Sequence, residues 1–177
     1  MRWNSQTTQY TALAVLFSLM ILFPNQASSK TPDWNNEQDS MKSAIGLHYG
    51  NLAGHGVSFR VPLKWWLYAQ IGGGIWHTSE NERHNVGFEL NYILRQDDKM
   101  RLFLGAGLGN FYHNELVGHS GDDEIWADDS NWNVGAGVGI EYLMGVRWAV
   151  QAEFDFAHTG ENGDIKVAPQ LGVHYYW

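Results

Sequence analysis

The chain contains no cysteine. No disulfide framework is available, so an exported fold of this sequence must hold by backbone pairing and packing. Basic residues are scarce: 11 Lys and Arg stand against 19 Asp and Glu, for a formal charge of −8. That balance gives no reason to expect nucleic acid as a partner. The apolar run at 10–23 is 14 residues long, short of the roughly 20 that a spanning helix needs. It reads instead as the core of a secretory signal peptide: Arg2 precedes it, Pro24 breaks it, and small Ala27, Ser28 and Ser29 follow. Cleavage is expected after Ser29, making 1–29 the leader. No cysteine lies near that junction, which excludes a lipoprotein anchor. Residues 30–42 are polar and read as a periplasmic lead-in to a single domain over 43–177.

Aromatics and glycine are abundant: nine Trp, eight Tyr, eight Phe and twenty Gly. That mixture is unusual in a soluble domain and usual in membrane strands with aromatic girdles. The end of the chain shows why. From Ile165 to Trp177 the odd positions are apolar or aromatic, while the even positions (Lys166, Ala168, Gln170, Gly172, His174, Tyr176) are mostly small or polar. Period two over such a length predicts a two-faced strand.

The same alternation predicts strands over 43–50, 56–62, 65–76, 85–95, 100–113, 131–144, 147–158 and 165–177. The longer ones match the roughly 9–11 residues that a tilted strand needs to cross a bilayer. Connections at 62–64, 96–99 and 145–146 are tight; those at 77–84, 114–130 and 159–164 are longer, and only 51–54 is short among the outer set, the pattern of short periplasmic turns and longer outer loops. The expectation is an all-β fold, an eight-stranded antiparallel up-and-down transmembrane β-barrel.

A secreted, lipocalin-like barrel would show the same period with its faces exchanged. Girdle placement of Trp132, Tyr142, Met144 and Trp148, and glycine on the polar faces, put the apolar faces outward. Glycines such as Gly72, Gly105, Gly107, Gly137 and Gly139 then make room in a narrow lumen for Tyr68, Trp76 and Phe103. Eight charges are expected on inward faces: Arg60, Arg95, Arg101 and Arg147 with Glu89, Glu141, Glu153 and Asp155. Buried charges need partners, so these predict a paired, closed plug. Pro169 has no N–H to donate and predicts a bulge or register distortion in the last strand.

With its leader, eight strands and terminal L-G-V-H-Y-Y-W, the chain resembles the small OmpX/OmpA-like family of eight-stranded outer-membrane barrels. The segment R-L-F-L-G-A-G-L-G-N-F-Y is similar to the fifth strand of many bacterial barrels. Trp177 stands where family members typically carry Phe. The resemblance implies a Gram-negative cell envelope and a location in the outer membrane. It makes Leu171, Val173, Tyr175 and Trp177 the signal read by the outer-membrane assembly machinery, with outer-membrane lipids and lipopolysaccharide as neighbours. The chain is expected to be a monomer with no cofactor.

Fold does not give function. The leading expectation is a non-enzymatic, porin-like or OmpX-like barrel with an envelope-structural or surface-interaction role through its outer loops. Alternatives are a lipid A-modifying enzyme and a narrow channel for small or hydrophobic solutes. Candidate catalytic pairs are weak. His55 and Ser58 are three apart and face opposite sides of a strand; His119 and Ser120 sit in a loop; Thr159 faces away from His158. The expectation is therefore no catalytic site and no metal site. The loop at 114–130 carries Glu115, Asp122, Asp123, Glu124, Asp128 and Asp129, which offer carboxylates to calcium, but their spacing does not match an EF-hand loop and the expectation is a solvated acidic loop.

Overall fold

A computed structural model describes residue 36 and residues 41–79, 81–120, 123–159 and 165–177. The expected leader and most of the lead-in lie outside these residues. Eight strands follow in order: β1 (Ala44–Tyr49), β2 (Gly56–Lys64), β3 (Leu67–His77), β4 (Asn81–Gln96), β5 (Met100–Ser120), β6 (Asp123–Met144), β7 (Trp148–Thr159) and β8 (Ile165–Tyr176). Each pairs antiparallel with its neighbours in sequence, and β1 pairs with β8, so the sheet closes into a barrel. Closure leaves no free edge along the paired wall.

Alternation sorts the side chains. Ile45, Phe59, Ile71, Phe88, Leu104, Val138, Phe154 and Leu171 are exposed on the outside. Their inward neighbours, among them Arg60, Gln70, Glu89, Arg101, Glu141 and Gln170, are buried. This inverts the arrangement of a water-soluble protein and suits a hydrocarbon surrounding. Leu171, Val173 and Trp177 lie on the outer face, with Tyr175 partly exposed beside them.

One end of the barrel is filled by apolar groups: Ala44, Tyr68, Ile93, Phe103, Leu143, Ala149 and Tyr176 form one cluster. All stand near the tight turns. The opposite end is unequal in height. β5 and β6 are 21 and 22 residues long, so much of the expected loop at 114–130 is paired strand, with Asn114 opposite Asp128 and Leu116 opposite Trp126. Beyond the membrane both faces of a hairpin can be polar, so no hydrophobic period is needed there.

The structure corrects four further expectations. A register shift between Ile93 and Arg95 moves the phase of β4. Ile93 turns inward, and Arg95 reaches out to Asp97 at 3.3 Å, its side chain 74% exposed. Arg147 lies in the turn before β7, where Nη1 donates to the Tyr175 hydroxyl at 2.7 Å. Trp76 is exposed rather than packed in the lumen; it stands in the outer part of β3, opposite Arg83. Pro169 pairs opposite Phe154 with no break in the β7–β8 register. It lies past the last residue of β8 that pairs with β1, Leu171, so no strand on that side waits for its missing N–H.

Candidate functional site: the lumen and its lid

The lumen is organised in two polar tiers under a lid. In the lower tier Glu141 is the hub. Its Oε1 accepts from Arg60 Nη1 at 2.7 Å and from the Tyr176 hydroxyl at 2.7 Å; its Oε2 accepts from Arg101 Nη1 at 2.9 Å. Arg60 is held further by Gln70, at 3.0 Å from Nε and 2.6 Å from Nη2, and by a short bond to Gln151 Oε1. Arg101 donates through Nε to Gln96 Oε1 at 2.7 Å and lies 5.4 Å from the ring centres of both Tyr68 and Tyr176. Charge-assisted bonds of this kind are the strong ones, and every one crosses the lumen or joins adjacent strands.

The upper tier is different. Gln170 Nε2 donates to Glu89 Oε2 at 3.0 Å, and Asn91 Nδ2 makes a short bond to Glu89 Oε1. Gln151 Nε2 donates to Glu153 Oε2 at 3.3 Å. Among the described residues no Arg or Lys forms an ion pair with Glu89, Glu153 or Asp155. The expected four-and-four pairing is thus replaced by one carboxylate shared between two guanidiniums, with three carboxyl groups left above. Arg95 and Arg147, which would have completed it, are outside the lumen for the reasons given.

The connection between β1 and β2 forms the lid. Leu52 and Ala53 are completely buried. Leu52 N–H donates to Gln170 Oε1 at 3.3 Å, Asn133 Nδ2 donates to the Asn51 carbonyl at 3.3 Å, and His55 N–H donates to Asn85 Oδ1 at 2.6 Å. His48 Nδ1 is 3.1 Å from the Gly54 carbonyl, which fixes that nitrogen as the donor. The loop can turn inward because Gly54 and Gly56 adopt φ of 84° and 128°, values that side chains oppose. It can lie flat because Gly87 and Gly109 face it: a Cβ on Gly87 would meet the backbone of Leu52, Ala53 and Gly54, the last at 2.5 Å. Gly87→Ala should therefore expel the loop while the barrel stays closed. Amide hydrogen exchange at Leu52 and Ala53 should rise at least tenfold, with β5–β6 protection unchanged; unchanged protection at Leu52 would mean that the loop is held otherwise.

The described histidines have other partners than the candidate catalytic pairs. Ser58 Oγ lies 3.3 Å from His174 Nε2 inside the lumen. His55 stacks on Tyr49 at 4.3 Å, and its Nδ1 accepts from Gly50 N–H at 3.1 Å. Burial holds the His55 pKa below its ordinary value. His158 is exposed. The side chains of His119 and Ser120 lie outside the description. On the rim, His84 stacks on Tyr112 at 4.3 Å, and His113 lies between Arg83 and Glu115. Among the described residues no three His, Asp or Glu side chains are arranged to hold a metal ion as they stand.

These features define a class of fold, the outer-membrane β-barrel. Among solved structures the chain is similar to the N-terminal β-barrel domain of Pseudomonas aeruginosa OprF, at 18% identity and a TM-score of 0.54, over 77% of this chain and 98% of that one. It also matches a major outer membrane protein of Thermus thermophilus at 11% identity and a TM-score of 0.48, over 77% and 98%. No protein-family model and no curated protein matches the chain.

Proposed function

We propose that the protein is a monomeric outer-membrane barrel of the OmpX-like kind. In this reading it is exported by its leader, inserted by the assembly machinery and surrounded by lipid and lipopolysaccharide. It is neither an enzyme nor an open pore, and it works through the arm that β5 and β6 raise above the wall. The observation that carries this is the end of pairing on β6. Among the described residues β7 accompanies β6 as far as Asn133, opposite Thr159. Beyond it β5 is the one described strand paired with residues 123–132, so no described strand runs along their other side. An exposed edge of this kind accepts an added strand. Exposed Asp128 and Asp129 on the edge favour a basic partner, and exposed Ile125 can pack against it.

A soluble peptide of alternating Lys and Val, followed by fluorescence anisotropy, tests the arm. Binding should fall at least tenfold when residues 116–129 are replaced by a two-residue turn. The truncated barrel should still fractionate with outer membranes and run faster on SDS gels unheated than boiled, because a closed barrel resists detergent. Equal binding by both forms would remove the arm from the function. Steady conductance of wild type in planar bilayers would favour the channel reading instead, and altered lipid A masses on gene loss would favour the enzyme.

A further inference from the structure

We infer that a notch in the barrel wall, above β1 and β2, holds an acyl chain of a phosphate-bearing membrane lipid, with the lipid's phosphate at Lys166. This rests on the membrane placement of the barrel and not on the outer arm.

The notch follows from unequal strands. β1 has six residues, where a tilted strand needs roughly 9–11 to cross a bilayer. Its last residue, Tyr49, stands opposite Leu171, midway along β8. Among the described residues, 165–170 of β8 then pair with β7 alone. On the other flank β2 follows β3 only to Gly73, opposite Val57, and residues 74–77 pair with β4 alone. Between β8 and β3 the upper wall therefore lacks two strands, a gap of about 14 Å at the usual strand spacing. The connection between β1 and β2 does not fill it. It turns into the lumen as the lid, with Leu52 and Ala53 buried, and forms the back of the notch.

The apolar side chains around this gap are the barest in the described protein. Ile75 is 79% exposed, Ile165 72%, Tyr49 63% and Val167 62%, the four highest values among the described large apolar residues. Elsewhere on the belt each outward side chain has strands on both sides; Ile75, Ile165 and Val167 have a strand on one side only. Gly73 lies on the outward face between exposed Ile71 and Ile75 and leaves the β3 flank bare. A chain lying in the notch touches protein on three sides, β8, β3 and Tyr49 below, instead of one. Dispersion contacts are individually small and add up.

The β8 edge calls for more than hydrocarbon. Trp177 N–H donates to the Ser43 carbonyl at 3.1 Å, on the β1 side, and Tyr176 N–H donates to the Arg147 carbonyl at 2.7 Å, on the β7 side. Backbone groups alternate in direction along a strand, so those of Ile165, Val167 and Pro169 point into the notch. Pro169 has no N–H, which suits an unpaired edge. The N–H groups of Ile165 and Val167 have no described strand beside them, and unpaired donors are costly in hydrocarbon. An ester or phosphate oxygen satisfies them; a plain alkane chain does not. Lys166 stands between these two residues, exposed and in no ion pair among the described residues. It lies at the end of β8 away from Tyr175 and Trp177, one bilayer crossing along the strand and at the depth of lipid headgroups. One cation, two donors and an apolar slot beneath them fit the phosphate and chain of one lipid.

The test uses the protein extracted from membranes and placed in phosphatidylcholine nanodiscs. A small fraction of phosphatidic acid carries a nitroxide midway along one chain. Paramagnetic relaxation enhancement at the Ile75 and Val167 amides should be at least threefold that at Leu104 and Val138, which are exposed on the belt elsewhere. The preference at Ile75 should vanish in Lys166→Gln and in Val167→Trp, which fills the slot. It should persist in Lys64→Gln, at the opposite end of the wall. Equal enhancement around the wild-type belt overturns the proposal, and that comparison decides even if the variants fail to fold. A preference unchanged in Lys166→Gln removes the phosphate and overturns it too. Two chains per disc, with Ile75 and Val167 shielded from the label, would give the notch to a second copy and overturn it equally. No enhancement at any of the four amides would refute the membrane placement itself, a separate failure.

Discussion

Glu141→Ala is expected to be the most damaging single substitution in the lower lumen. It strands two buried guanidiniums, Arg60 and Arg101, which both form ion pairs with this carboxylate. Breaking a buried pair typically costs about 3–5 kcal/mol, mostly as the penalty of the charge left behind. Arg101→Ala leaves Glu141 with Arg60 and should cost less. The double variant should cost less than the sum of the singles, because each removes the interaction that the other loses. Urea unfolding of the four proteins in detergent measures the cycle; strict additivity would show that Arg101 and Glu141 do not interact.

Val138→Arg should be the most damaging change on the outer surface. Val138 is exposed near the middle of the barrel-wall portion of β6, between Leu104 and Phe154 on neighbouring strands. A charge at the bilayer midplane costs about 2–4 kcal/mol, falling to about 0–1 near the interfaces. Refolding into lipid vesicles should show this loss, while the same substitution at Ile125 on the outer arm should be nearly neutral. Equal tolerance at both positions would mean that the apolar belt does not face lipid.

The wall of the barrel was legible because membrane and lumen impose opposite demands on adjacent residues. β8 shows it most plainly: Leu171 and Val173 face out, and Gln170, Gly172 and His174 face in. Where one of those demands stops, so does the signal. The raised part of β5 and β6 has no apolar side, and its pairing of Asn114 with Asp128 left no trace in hydropathy. The shift at Arg95 was invisible for another reason: a bulge changes the phase of alternation without changing composition. Within the lumen, Arg101 and Glu141 stand directly opposite each other on β5 and β6, and opposite charges on inward positions drew attention to both. Gln70, Gln151 and Tyr176 lie on equally inward positions, yet as neutral groups they carried no such flag. The lid was hidden completely. Inward glycines read as space for side chains, but at Gly87 and Gly109 the space receives the backbone of residues 51–54 from a distant part of the chain.

β1 is six residues long, while β5 and β6 exceed twenty. The ring is therefore an uneven zip with a short catch. Its longest ladder joins strands adjacent in sequence and can form early, whereas the β1–β8 ladder brings together opposite ends of the domain, a late and slow event in chains of this topology. The two ladders of β1, five register pairs to β2 and six to β8, are the places where the fewest backbone bonds must break for the wall to part. Time-resolved hydrogen exchange during insertion should show β1 protected last, and under denaturing stress it should be the first strand to lose protection.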